Sequence, residues 1–254
     1  MHRILCCFLI LFTAVSAAEP TPTRAGDDAL LNKYRAQATE TWETEIRQLE
    51  ARDAAEPDPA DAILFVGSSS IRLWDTIATD MAPYRVVQRG VGGSTYSDIA
   101  VFAKRLLLPH RYRALVVFVA NDVTPEAPDR SPQEVEKLVR YVLGVSRQHQ
   151  PDAPVLLVEI TPTESRFAVW PEIRAINAML RKIALTTADT WFVATAEHYL
   201  DPKGNPRSEL FVDDQLHLNG DGYTLWSHLI RRRLDEVLRK TEALAEAVSS
   251  RAAN

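Results

Sequence analysis

The sequence predicts an α/β fold, three layers deep, in which helices cover both faces of a five-stranded parallel sheet. Two observations carry this. Short apolar, β-branched runs alternate along the chain with segments of helical period, the pattern of repeated strand–helix–strand crossovers. The 254 residues are 46% hydrophobic and 25% charged, ordinary for a soluble globular chain of one domain with extensions.

The chain opens with Met1-His2-Arg3, a short basic start, followed by the apolar run Ile4–Val15 and the small residues Ser16-Ala17-Ala18. The run is too short for a membrane span and reads as a secretory signal over residues 1–18, giving a secreted or periplasmic protein with no membrane span after cleavage. Both cysteines, Cys6 and Cys7, fall inside it, so the mature chain is expected to have no disulfide, thiol nucleophile or Cys-based metal site. The formal charge of −5 becomes one unit more acidic when Arg3 is removed, which argues against nucleic acid as a partner. Arg231-Arg232-Arg233 is interrupted by apolar residues at helical spacing and reads as a solvated helix face.

Residues 19–60 are expected to form a leader and a first helix over Asp28–Ala54, ended by Glu56-Pro57-Asp58-Pro59 because proline cannot continue a helix. The main domain is expected over residues 61–248. Its strands are Ala62–Val66, Tyr84–Val87, Ala114–Val119, Pro154–Ile160 and Thr190–Ala194. Its helices are Ile71–Thr79, Ser97–Leu107, Ser131–Gln148, Pro171–Thr187 and Asn219–Val248. Ser131-Pro132 with Glu134 predicts a capping box, and Trp170-Pro171-Glu172 and Asn219-Gly220-Asp221 predict further helix starts. A parallel sheet of this kind places its site at the carboxyl ends of the strands.

Four strand ends or loops bear chemistry. The first strand stops at Gly67 and three serines, Ser68–Ser70, precede a helix; a glycine there allows a tight turn, and main-chain N–H groups can face a developing negative charge. Serines in that position also cap helices, so the block is not decisive alone. Near the other end, Asp214 lies three residues before His217. In a loop, that spacing lets the carboxylate hold one imidazole nitrogen so that the other can take a proton from serine. Among the other histidines, His2 is in the signal, His110 and His149 are expected at surfaces, His198 sits beside Tyr199 and His228 lies in the last helix. The glycines of Arg89-Gly90-Val91-Gly92-Gly93 let a main-chain N–H approach a substrate oxygen, and Asn121 could aim its amide at the same oxygen.

Taken in order, these blocks resemble the SGNH, or GDSL-type, hydrolase superfamily over roughly Ala62–Leu238. Val66-Gly67-Ser68-Ser69-Ser70-Ile71-Arg72-Leu73-Trp74 is similar to a branch of platelet-activating factor acetylhydrolase-like esterases, as are Trp42–Ala54 and Trp170-Pro171-Glu172 with Asn177. The resemblance implies a flavodoxin-like sheet and a serine esterase whose nucleophile is Ser69, base His217 and orienting acid Asp214. It implies an oxyanion hole of Ser69, Gly93 and Asn121, with Gly92 as the alternative to Gly93. It requires no metal and no cofactor, and implies a small ester or acylated carbohydrate as substrate. Three positions depart from the family pattern: Ser68 replaces the usual Asp, Gln88 an Asn, and Val119-Ala120 the Gly-x of the third block.

Asp122, Arg89 and Arg72 are expected to support the site rather than react. Loops Thr161–Val169 and Glu197–Leu210 are expected to shape the pocket. An acyltransferase, a non-catalytic carbohydrate-binding protein and a flavodoxin-like cofactor domain remain compatible with the same fold.

Overall fold

The computed structural model describes residues 24–126 and 130–252; the expected signal segment at residues 1–18 lies outside the described residues. Strands β1 (Ala62–Gly67), β2 (Val86–Gly90), β3 (Tyr112–Phe118), β4 (Val155–Val158) and β5 (Thr190–Val193) pair in parallel in the order β2-β1-β3-β4-β5. The chain leaves β1 in one direction to reach β2 and returns past it to β3. The strand order therefore reverses between β1 and β3, which is where a crevice opens at the carboxyl ends of such a sheet.

Both faces of the sheet are buried, so the strands read as continuous apolar runs with a hidden period of two. Leu64, Val66, Leu115, Val117, Val155 and Leu157 point into one core, whereas Ile63, Phe65, Ala114, Val116, Leu156 and Val158 point into the other. The first core is covered by α1 (Arg24–Ala55), α4 (Tyr96–Leu107), α5 (Pro132–His149) and α6 (Trp170–Thr186). The second is covered by the short helices α2 (Ser69–Arg72) and α3 (Ile77–Asp80) and by α7 (Gly220–Ala252). There Trp74 stacks on Tyr223 and packs at a tilt against Trp226, both at centroid distances of 5.2 Å, so the segment between α2 and α3 is fastened to α7 by aromatic packing. Among the described residues no helix is long and apolar enough to cross a membrane.

The sequence-based elements are recovered with instructive differences. The helix expected over Ile71–Thr79 is two short helices separated at Leu73–Thr76. Trp74 must turn inward there, its indole N–H bonding Asp80 at 2.7 Å, and a continuous helix would not permit it. Strand β2 begins later than expected and runs to Gly90. Ser131 does cap α5, accepting the Glu134 N–H at 3.3 Å, but the Glu134 carboxylate does not return to it. It binds Lys33 at 2.6 Å and the Tyr34 hydroxyl on α1 instead, so a residue placed for local capping serves packing between helices. At the start of α7, Asn219 Oδ1 accepts the Gly222 N–H at 3.0 Å, as its position predicts.

Candidate active site

The serine turn is fixed by contacts from four elements. A Cβ at Gly67 would lie 1.9 Å from the Phe118 carbonyl oxygen, so glycine is needed because the ends of β1 and β3 approach closely, not for an unusual backbone angle. The Ser68 N–H donates to that same carbonyl at 3.0 Å, which leaves Ser69 as the first residue of α2. Gln88 occupies the position where the family pattern has asparagine. Its amide reaches across from β2 to the Ile71 and Trp74 carbonyls at 2.5 and 3.1 Å. The Tyr223 hydroxyl holds the Ser70 carbonyl at 2.9 Å from α7. Together these contacts hold Ser69 half-buried at the crevice above β1.

The loop before α7 brings His217. Phe211 and Leu218 form an antiparallel bridge, and the Val212 N–H donates to the His217 carbonyl at 2.9 Å, closing residues 212–217 into a tight turn. Gln215 adopts φ 53° within it, a left-handed conformation that costs a non-glycine residue about 1–3 kcal/mol and is tolerated where the surroundings enforce it. Asp214 Oδ1 accepts the N–H groups of Leu216 and His217, both at 2.9 Å. Its Oδ2 lies 2.6 Å from His217 Nδ1, and His217 Nε2 lies 2.9 Å from Ser69 Oγ. Partial burial pushes the Asp214 carboxyl up. The His217 backbone N–H and imidazole, with the Leu216 N–H, outweigh that and hold it below the usual range, so it stays ionised beside the ring. This is an acid–imidazole–hydroxyl chain with the polarity that activates a serine for attack.

The expected oxyanion donors differ in how firmly they are held. Asn121 follows β3 and lines the same pocket as Ser69 and His217, with one amide N–H on the Ser94 carbonyl at 3.0 Å. Gly93 is exposed in the turn after β2, beside the Trp42 indole. The alternative, Gly92, has its N–H bound to Glu45 of α1 at 3.1 Å and so is not available to a substrate. The Ser69 N–H heads a helix and has no intrahelical acceptor.

Asp122, Arg89 and Arg72 turn away from the chemistry. Asp122 is buried and caps α4, accepting the Tyr96 N–H at 3.0 Å; burial pushes its carboxyl up to about 6 against that bond and the Arg130 charge. Arg89 pairs with Asp53 of α1, and Arg72 faces Glu45 at 3.6 Å.

The pocket is a cavity of about 30 Å³, floored by Phe118, Ile160, Leu218 and Trp226. Of the two loops expected to shape it, Thr161–Val169 contributes Thr161, Thr163 and Arg166. The loop Glu197–Leu210 contributes none. It is drawn instead toward the start of α7, where Asn219 Nδ2 binds the Glu209 carbonyl at 2.8 Å, and Phe211 just beyond it forms the wall. Arg166 was not legible as a site residue: a single arginine in a loop carries no spacing signal. Its position after β4, at the carboxyl end of the sheet, was the only hint.

The GDSL-like Lipase/Acylhydrolase family model matches residues 54–225, more than half of the chain. Solved structures with the same fold include a Streptococcus pneumonia protein named for platelet activating factor, at 18% identity and TM-score 0.67, covering 84% of this chain and 100% of its own. A carbohydrate esterase family 3 protein from Talaromyces cellulolyticus is 17% identical with TM-score 0.54, over 70% of this chain and 98% of its own. An acetyl xylan esterase is 18% identical with TM-score 0.56, over 66% and 97%. At these identities the likeness concerns the fold. No curated protein matches the sequence.

Proposed function

The chain belongs to the GDSL-like lipase/acylhydrolase family and is a hydrolase of ester bonds, and from that premise we propose that it is an exported serine esterase removing short acyl groups, acetyl above all, from carbohydrates. The observation that carries this reading is the continuous chain Asp214 Oδ2, His217 Nδ1, His217 Nε2, Ser69 Oγ, with links of 2.6 and 2.9 Å on either side of the ring.

In the proposed reaction Ser69 Oγ attacks the ester carbonyl while His217 Nε2 takes its proton. Asp214 stabilises the imidazolium that results. The carbonyl oxygen becomes an oxyanion facing the N–H groups of Ser69 and Gly93 and the Asn121 amide, donors worth about 2.7–4 kcal/mol each in comparable sites. The tetrahedral adduct collapses, the C–O bond to the alcohol breaks, and His217 returns the proton to the departing oxygen. Water, deprotonated by His217, then cleaves the acyl-Ser69 ester and releases the acid.

The small pocket bounded by Phe118, Ile160 and Trp226 favours an acyl group of two or three carbons over a fatty chain. The fold shared with an acetyl xylan esterase and a carbohydrate esterase supports acetylated sugars as the class to try first. Export rests on the basic and apolar residues 1–18 alone.

Wild-type protein should release p-nitrophenol from the acetate ester far faster than from the octanoate, and acetate from acetylated xylo-oligosaccharides. Ser69→Ala should lower kcat at least about 10³-fold with unchanged far-UV circular dichroism. Retained turnover in that variant, with loss in Ser68→Ala or Ser70→Ala, would move the nucleophile. Acyl transfer to an added sugar in preference to water would make the protein a transferase.

A further inference from the structure

We propose that Arg166 is a positioning residue for the oxyanion hole: its guanidinium holds the Asn121 carboxamide with the N–H side turned toward the reacting carbonyl. The inference rests on the esterase reading of the Ser69 site.

Two short contacts motivate it. One terminal nitrogen of Arg166 donates to the Ala120 carbonyl at 2.6 Å and the other to Asn121 Oδ1 at 2.6 Å. The fork therefore grips the main chain and the side chain of the third block together, at the place where Ala120 stands near the usual glycine. An asparagine amide is almost symmetric in shape, so packing alone does not choose between its two orientations. Hydrogen bonding does.

With Oδ1 on Arg166, the amide nitrogen faces the Ser94 carbonyl at 3.0 Å and keeps a second N–H for the pocket. The flipped amide would set N–H groups against a guanidinium on one side and two carbonyl oxygens against each other on the other. It would also turn an acceptor toward the developing oxyanion. Both neighbours specify the same orientation, and the charge-assisted bond from Arg166 is the stronger of the two. Drawing electron density toward Oδ1 makes the remaining N–H a better donor as well.

Among the described residues the guanidinium is not half of an ion pair. Among the described residues no carboxylate lies within 4.0 Å of it, although Glu126 contributes some attraction at longer range. Burial pushes Arg166 below its usual range, the mark of a cation carrying a desolvation cost. The loop that delivers it is itself anchored to the base's loop by the Ser165 N–H on the Gln215 carbonyl at 3.3 Å. One short segment thus spans the oxyanion side and the base side of the pocket.

The test is a double-mutant cycle on p-nitrophenyl acetate hydrolysis. Arg166→Met should lower kcat about 10- to 100-fold while KM stays within about threefold, because the donor acts in the transition state. Asn121→Ala should lower kcat about 10²- to 10³-fold. The double variant should be no slower than Asn121→Ala alone. Guanidinium ion at tens of millimolar should restore part of kcat to Arg166→Ala and nothing to the double variant. If Arg166→Met does not fold, Arg166→Lys, which keeps the charge and loses the fork, runs the same cycle with an expected loss of several-fold. Wild-type kcat in these variants, or losses that multiply in the double variant, would overturn the proposal while leaving the esterase reading intact. Absence of Ser69-dependent turnover in the wild type would instead remove that reading, and the role of Arg166 with it.

Discussion

Two histidines of this molecule each sit against an aspartate, and only one of them belongs to a reactive arrangement. His217 lies 2.6 Å from Asp214 and His110 lies 2.9 Å from Asp58. The pairs differ in what meets the second ring nitrogen. At His217 it is the Ser69 hydroxyl at 2.9 Å, in a loop whose imidazole is 24% exposed. At His110 the second nitrogen makes no hydrogen bond and faces Asp53 at 3.6 Å, with the ring 1% exposed and a contact from His149 to the His110 carbonyl sealing the corner. Asp53 is also the partner of buried Arg89 from the end of β2. The second pair is a clasp that fastens α1 and its proline-rich exit to the sheet. A histidine–carboxylate distance is thus uninformative by itself; the third group, and its access to solvent, separates a base from a strut.

The two pairs should respond to substitution in opposite observables. The largest effect is expected from Asp214→Asn, which keeps the shape but favours the wrong tautomer: kcat for acetate esters should fall about 10²- to 10⁴-fold, with only a small drop in melting temperature because that carboxylate is 47% exposed. His110→Ala should do the reverse. It leaves Asp53 and Asp58 without their ring partner under α1 and should destabilise the fold by about 2–4 kcal/mol, read by urea unfolding, with kcat per folded molecule unchanged. A loss of turnover in folded His110→Ala would erase the distinction between base and strut.

The smallest effect concerns a buried carboxylate, Asp122, and its pH dependence. The folded state pushes this group up to about 6 from 3.8, so it keeps its proton to a higher pH than the unfolded chain does. Its contribution to stability is complete below 3.8 and is lost as pH rises through about 6. Asp214 runs the other way: held below its usual range, it stabilises the fold above that range and loses the contribution as the solution is acidified. Asp122→Asn, which preserves an acceptor for the Tyr96 N–H, should flatten the decline in melting temperature between about pH 4 and 6. An unchanged profile would place that decline on other groups.

The parallel sheet was legible because burial on both faces writes each strand as an apolar run, and the proline, glycine and serine punctuation between runs is local. Asp214 and His217 were legible because their geometry is settled within four residues. His110 has the local sequence of a surface residue and is buried, since the residues that cover it come from the far end of α1 and its exit, more than fifty positions away. Arg166 is silent in the sequence for the same physical reason: its partners Ala120 and Asn121 lie in the turn after another strand, β3, and nothing in its own loop announces them. The break between α2 and α3 was also hidden, because it depends on where the Trp74 indole finds room against α7.

The hydrogen bond from the Gly92 N–H to Glu45 fixes where a working fragment can begin. The family match starts at residue 54, beyond Glu45 and beyond Trp42, the ring that a Cβ at Gly92 would meet at 3.2 Å. A fragment cut at that boundary would retain Ser69, Asp214 and His217 and yet lose the brace behind the glycine turn. The matched span also closes at residue 225, one position short of Trp226, which floors the pocket. The smallest unit that keeps both the Glu45 brace and the Trp226 floor is therefore longer at both ends than the segment by which its family is recognised.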